Sequence, residues 1–311
     1  MAGRCLPSEA NVQREKLELV EVSPRDGLQN EPDVVSTENK LALIDHILAA
    51  GFRRLEAGSF VNPKKVPQMA DGDAIFAGVP KRSDATFIAL ALNLRGVERA
   101  IAAGAKEINY VFCASDGFSV RNNGGTVDET FNVWPQVAAA AKVGGARLSA
   151  TVSTAFGCPF DGEVPVARVV EVAERCLAEN IFELALADTI GVATPRDVRE
   201  RFRSVKSVVP VGVQLRAHFH NTRNTALANA VAAVEEGVRV LDGSLAGIGG
   251  CPFAPGAAGN VPTEDLLYMF DRMGFDTGVD LDRAIEGAHF ISGVLGRKTP
   301  GMVSRAPKWP A

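Results

Sequence analysis

Apolar, β-branched runs alternate with helix-like segments eight times along this chain, and that alternation is its strongest constraint on folding. The runs cover residues 17–22, 53–57, 86–90, 107–112, 147–152, 182–187, 208–215 and 238–242. Helical patterns fill the gaps: Ser36 or Thr37 to Ala50, a loop and helix over 62–77, 95–103, 128–143, 164–178, one opening near Pro195, 225–236, and one from Thr263. Gly51, Gly104 and Gly237 each stand where a helix should stop just before a strand, as left-handed helix caps do. Strands that are always separated by a helix pair in parallel, and eight such units predict a closed (β/α)8 barrel of the TIM type. A ninth helical stretch, 281–295, falls outside the repeat and predicts a C-terminal helical extension. An open doubly wound sheet is the alternative, but no strand runs into a G-x-G-x-x-G turn, and Gly247-Ile248-Gly249-Gly250 lacks that spacing. No linker divides the chain. We expect one barrel domain over residues 16–311, preceded by a loose polar arm over 1–15.

Composition narrows the function. A net charge of −4, with both signs interspersed, gives no footprint for a nucleic acid or a membrane surface. No apolar run approaches the roughly 20 residues of a membrane span. The N-terminal arm lacks a basic segment followed by an apolar core, so no secretory signal is visible. Five scattered cysteines, Cys5, Cys113, Cys158, Cys176 and Cys251, suit reduced thiols in a cytoplasmic enzyme rather than a disulfide framework.

In a barrel of this type the chemistry lies at the carboxyl ends of the strands. His218 and His220 are two apart at the end of the seventh run, so both imidazoles project to one face. The other strand ends offer Arg25 and Asp26, Glu56, and Asp188-Thr189, and the loop after the eighth strand carries Cys251 and Asn260. Two imidazoles, a carboxylate and an amide form a mixed N/O donor set, suited to Mg²⁺, Mn²⁺ or Zn²⁺. Each residue also has an ordinary structural reading. Arg25 and Glu56 could form a buried ion pair, Asp188 could cap the following turn, and Cys251 could pack as a small hydrophobe. The loop from Ala246 to Asn260 is rich in glycine and proline, a composition suited to a lid that moves as one piece over the barrel mouth.

These residues sit in longer motifs: Val22-Ser23-Pro24-Arg25-Asp26-Gly27-Leu28-Gln29-Asn30-Glu31, Ser59-Phe60-Val61 with Val66-Pro67-Gln68-Met69, Asp188-Thr189-Ile190-Gly191, His218-x-His220, and Gly249-Gly250-Cys251-Pro252 through Gly259-Asn260. With them the chain resembles 3-hydroxy-3-methylglutaryl-CoA lyase from about Leu17 to Lys298, in the metal-dependent branch of barrels that also holds isopropylmalate and homocitrate synthases. The resemblance implies a divalent cation, Mg²⁺ or Mn²⁺, bound by Asp26, His218, His220 and Asn260. It implies catalytic roles for Arg25, Glu56, His218 and Cys251, with Asp188 supporting the site from behind. Gln29 and Thr189 are expected to join Arg25 in contacting an acyl-CoA substrate, and the protein is expected to be a homo-oligomer. The reaction implied is retro-Claisen cleavage to acetyl-CoA and acetoacetate. A Claisen-type synthase joining acetyl-CoA to a 2-oxo acid, a CoA-independent metal-dependent aldolase, and a non-catalytic binding barrel are the alternatives. The chain departs from the family at Asn221-Thr222-Arg223-Asn224, where Asp often follows the second histidine with Tyr and Gly soon after. It departs again at 113–125 and at Glu56-Ala57-Gly58.

Overall fold

The computed structural model describes residues 14–250 and 259–309. Eight parallel strands close into a barrel in chain order: β1 (Glu18–Glu21), β2 (Arg54–Ser59), β3 (Thr86–Ala91), β4 (Glu107–Cys113), β5 (Arg147–Ser153), β6 (Glu183–Asp188), β7 (Gln214–Phe219) and β8 (Val240–Gly243). β8 pairs back onto β1, with Glu18 opposite Val240 and Val20 opposite Asp242. That closure excludes the open-sheet alternative.

The helices form where local chemistry starts and stops them. α1 (Thr37–Ala50) opens with the Ser36 hydroxyl accepting from Asn39 N at 3.2 Å, and closes at Gly51 with φ +108°. Gly104 and Gly237 are also left-handed, at φ +94° and +92°. A side chain at such a φ clashes with its own backbone, so glycine lets the chain turn directly into the next strand. The extension α11 (Leu281–Leu295) buries Ala284, Ala288 and Ile291 and packs against α1.

Several boundaries differ from expectation. The seventh strand begins at Gln214 rather than Val208. Pro210 has no N–H to give a ladder, and its carbonyl instead accepts from Val213 N at 3.2 Å in a turn. The helix expected over 128–143 is two, α5 (Val127–Phe131) and α6 (Trp134–Val143), because Pro135 must sit in a first turn. The polar segment before it holds a short helix, α4 (Asp116–Asn122). Arg14, inside the segment expected to be loose, makes contacts. Its guanidinium meets Asp271 at 2.8 Å, and Glu15–Lys16 pairs in parallel with Phe275–Asp276.

Most apolar side chains fill the layer between strands and helices in one continuous cluster. The barrel interior is different. A separate apolar group of Val20, Val22, Ile88 and Val240 lines one side. Elsewhere the interior is ionic: Arg54 donates to Glu107 at 2.6 Å and to Glu183 at 2.9 and 3.0 Å. Above this layer, toward the strand carboxyl ends, the interior opens into a cleft of about 680 Å³.

Candidate active site

Residues from several strands meet in that cleft. β1 runs into a wide helical turn, Ser23–Gly27, closed by Gly27 N donating to Val22 O at 3.1 Å. The turn aims Arg25 and Asp26 inward, and it lies against the barrel because Gly27 has no Cβ, which would meet Ser244 Oγ at 2.6 Å. Period-two alternation along β7 and past its end puts Arg216, His218 and His220 on the same wall.

Asp26, His218 and His220 present one ligand atom each within 4.8 Å of one another. Asp26 Oδ2 lies 3.5 Å from His220 Nε2 and 3.9 Å from His218 Nε2. Asn260, which follows β8 in the chain, joins them through a backbone bridge to His220. Its amide nitrogen donates to Ile248 O at 3.2 Å, while Asn260 Oδ1 and Asp26 Oδ2 are buried with no hydrogen-bond partner among the described residues. Unpaired buried oxygens are costly; that of Asp26 meets two imidazoles, and that of Asn260 belongs to the residue bridged to His220. This donor set fits a divalent cation of mixed N/O preference.

Charges fit the same picture. Burial pushes the Asp26 carboxyl up, but the Arg25 charge and the two histidines outweigh it and hold it well below the usual carboxylate range. His218 Nδ1 is 2.7 Å from Asp242 Oδ1. That bond directs the ring N–H to Asp242 and leaves Nε2 facing Asp26, a pattern common behind metal-ligating histidines.

Arg25 ion-pairs with Asp26 and with Glu56, its Nε donating to Glu56 Oε2 at 2.6 Å. Glu56 Oε1 accepts from Asn109 at 2.6 Å, and Asn109 Oδ1 accepts from Thr151 at 2.8 Å. The buried ion pair considered from sequence therefore exists, yet Arg25 still lines the cleft. Asp188 caps the turn after β6, accepting from Val192 N and Ala193 N, both at 2.9 Å. It lies outside the cluster of candidate ligands. Gln29 and Thr189 both line the cleft, and Thr189 Oγ1 also accepts from Thr154 N at 2.8 Å. Cys251 lies outside the described residues. Among the described residues, Gly250 O accepts from Asn30 Nδ2 at 2.7 Å and Gly259 O from Asn221 N at 2.9 Å. At the departure after the second histidine, Asn224 takes φ +57°, a conformation asparagine tolerates better than most residues.

Sequence reading missed Asp242, Asn109, Thr151 and Arg216, all of which line the cleft. The available signal was polar residues at period two within otherwise apolar strands, Asn109 in β4 and Arg216 in β7.

Comparison with known proteins agrees with this architecture. The HMGL-like family model matches residues 16–291. The mitochondrial hydroxymethylglutaryl-CoA lyase of Rattus norvegicus is 43% identical over 291 residues, covering 94% of this chain and 89% of that protein. The cytoplasmic 3-hydroxy-3-methylglutaryl-CoA lyase of Danio rerio is 44% identical over 292 residues, covering 94% and 87%. Among solved structures, the hydroxymethylglutaryl-CoA lyase of Pseudomonas aeruginosa superposes with a TM-score of 0.90 at 41% identity, over 94% of this chain and 97% of that one. The HMG-CoA lyase of Acinetobacter baumannii, solved with coenzyme A and 3-methylmalate, gives 0.91 at 40% identity, over 95% and 96%. With a family model spanning most of its length and relatives this similar from end to end, the chain belongs to the HMGL-like family.

Proposed function

We propose that this protein is a divalent-cation-dependent carbon–carbon lyase that cleaves 3-hydroxy-3-methylglutaryl-CoA to acetyl-CoA and acetoacetate. The observation that carries the reading is the meeting of Asp26, His218 and His220 beside Arg25 in one cleft. It gains support from relatives named as lyases of that thioester. Asp26, His218, His220 and Asn260 would hold the cation, Mg²⁺ or Mn²⁺. When bound, it would supply Lewis acidity at the substrate's tertiary hydroxyl.

The chain's own groups carry the rest. Asp26 or His218 takes the hydroxyl proton. The electrons of the O–H bond form the ketone, and those of the C2–C3 bond pass into the thioester as an enolate. Arg25, oriented by Glu56, faces the negative charge growing on the thioester oxygen, the kind of preorganised stabilisation that often dominates such rates. Cys251 or His218 then returns a proton to C2, completing the acetyl thioester. Asp188 holds the β6 turn behind the histidines. Gln29 and Thr189 contact the acyl group.

A cytoplasmic location and homo-oligomeric assembly belong to the same proposal. The relatives carry both cytoplasmic and mitochondrial names, and no helix among the described residues is long and apolar enough to cross a membrane. The test is a panel of 3-hydroxyacyl-CoA thioesters assayed with Mg²⁺ and Mn²⁺, beside acetyl-CoA with 2-oxo acids. Cation-dependent release of acetoacetate supports the lyase. Condensation without cleavage would reassign the protein as a synthase.

A further inference from the structure

One row of side-chain hydrogen bonds crosses the barrel interior from β7 to the turn after β1. It starts at Arg216, whose Nη2 lies 3.5 Å from Thr151 Oγ1. Thr151 Oγ1 donates to Asn109 Oδ1 at 2.8 Å, and Asn109 Nδ2 donates to Glu56 Oε1 at 2.6 Å. Glu56 Oε2 accepts from Arg25 Nε at 2.6 Å. Chemistry fixes the direction of each bond. Arginine has no acceptor, so the Thr151 hydroxyl proton is left for Asn109. Turning the Asn109 amide over would set its oxygen against the Glu56 carboxylate. Thr151, Asn109, Glu56 and Arg25 are each 8% exposed or less, and all line the cleft. In such a low-dielectric interior, bonds in series polarise and strengthen one another.

We propose that Asn109, held by Thr151, is a positioning residue for the cleavage: it fixes the Glu56 carboxylate and, through it, the plane of the Arg25 guanidinium that faces the growing enolate. The role of Arg25 itself rests on the lyase reading. Arg25 stands between two carboxylates, ion-pairing with Asp26 and with Glu56. Asp26 is also a candidate cation ligand, so Glu56 is the partner left to orient the guanidinium. The terminal torsion of a glutamate is broad and resists rotation weakly. With one oxygen on Arg25 and the other unpaired, the carboxylate would turn and carry the guanidinium with it. Asn109 on the second oxygen removes that freedom. A neutral amide does so without adding a cation that competes for Glu56 or an acid that repels it. An apolar residue at 109 would fill the same space but leave Glu56 Oε1 buried without this donor, which is costly. Stabilisation of a developing charge depends on donors aimed before the charge appears, so looseness at Glu56 lowers turnover rather than binding.

The test uses two near-isosteric substitutions, Asn109→Leu and Thr151→Val, assayed with 3-hydroxy-3-methylglutaryl-CoA and Mn²⁺. In Asn109→Leu kcat should fall by about 10–100-fold, the scale of one hydrogen bond to a charged group. KM should change by less than about threefold, since a group acting on the transition state alone leaves ground-state binding intact. Thr151→Val should lose about 3–10-fold in kcat by the same route, and Thr151→Ser, which keeps the hydroxyl, should restore it. In an Arg25→Lys background, Asn109→Leu should lower kcat by less than about threefold further, because both changes disrupt one arrangement. A readout without turnover is the ¹H–¹⁵N signal of the Arg25 Nε–H group, identified by its absence from Arg25→Lys. That proton should exchange with solvent at least about tenfold faster in Asn109→Leu than in the native protein. A full, independent loss in the Arg25→Lys background, or a loss confined to KM, overturns the proposal and makes Asn109 a residue that acts without Arg25. An unaltered Arg25 signal in folded Asn109→Leu overturns it too, and Thr151→Val supplies the same reading should Asn109→Leu fail to fold. If the native protein cleaves no thioester, the lyase reading fails, and the Arg25 signal alone decides whether Asn109 positions Arg25.

Discussion

Asp242→Asn isolates the orientation of His218 from its presence. Asp242 Oδ1 and His218 Nδ1 are 2.7 Å apart, and both side chains are largely buried. Asparagine keeps the volume and an oxygen that can still accept, so the ring stays in place. What is lost is the negative charge. A charge-assisted bond is roughly twice as strong as a neutral one, so the exchange costs about 1–1.5 kcal/mol of ligand preorganisation. Losing such a supporting bond behind a metal-ligating histidine typically lowers metal affinity by about 10–100-fold. Arg216 also loses a counter-charge 3.7 Å away, so a modest drop in melting temperature should accompany the change. The assay is titration of the metal-free protein with Mn²⁺ at fixed pH, read by calorimetry or by the free-Mn²⁺ resonance signal, beside a thermal melt. His220→Ala, which deletes a proposed ligand outright, serves as the upper bound. If Asp242→Asn binds Mn²⁺ within about twofold of the native protein while His220→Ala does not, Asp242 has no part in presenting His218.

Three further outcomes are expected. Arg25→Lys keeps the charge but loses the fork that meets Asp26 and Glu56 together, so kcat should fall by about two to three orders of magnitude with little change in KM; a change confined to KM would make Arg25 a binding residue only. Cys251→Ala should remove most turnover yet leave Mn²⁺ affinity unaltered, and a bound substrate analogue should protect the native thiol from alkylation; near-normal turnover would pass the proton-return role to His218. Burial pushes the carboxyls of Glu264 and Glu21 up to about 7 from about 4.5. Between those values the folded state keeps protons that the unfolded state has lost, so stability should decline as pH rises from 4.5 to 7 and level off above, by at most about 1.4 kcal/mol per pH unit for each group. Glu264→Gln should roughly halve that slope in denaturant titrations run across the window, and an unaltered slope would show that Glu264 ionises freely in the folded protein.

Much of the architecture was legible in the sequence because its signals are local. A left-handed glycine after α1, an apolar run too short for a helix, and a proline in a first turn each act over a few residues. Repeated eight times, they leave little but a closed parallel barrel. The strand ends were legible for the same reason, since His218 and His220 share a face by the geometry of one strand. Boundaries failed where one residue's missing donor mattered, at Pro210 and Pro135.

Tertiary structure decided which strand ends face one another and how deep each side chain lies. Arg25 comes from the first strand's turn, Glu56 from β2, Asn109 from β4 and Asp242 from β8. Pairing of β7 with β8 brings Asp242 against His218, and closure of β8 onto β1 brings Asp26 to the two histidines. Arg216 shows the limit most plainly. In the sequence it is one arginine in an otherwise ordinary strand. Its surroundings depend on Glu183 and Asp242, 33 and 26 positions away, being committed both to it and to Arg54 and His218. Such a commitment is a property of distances in space, and residue order along the chain carries no record of it.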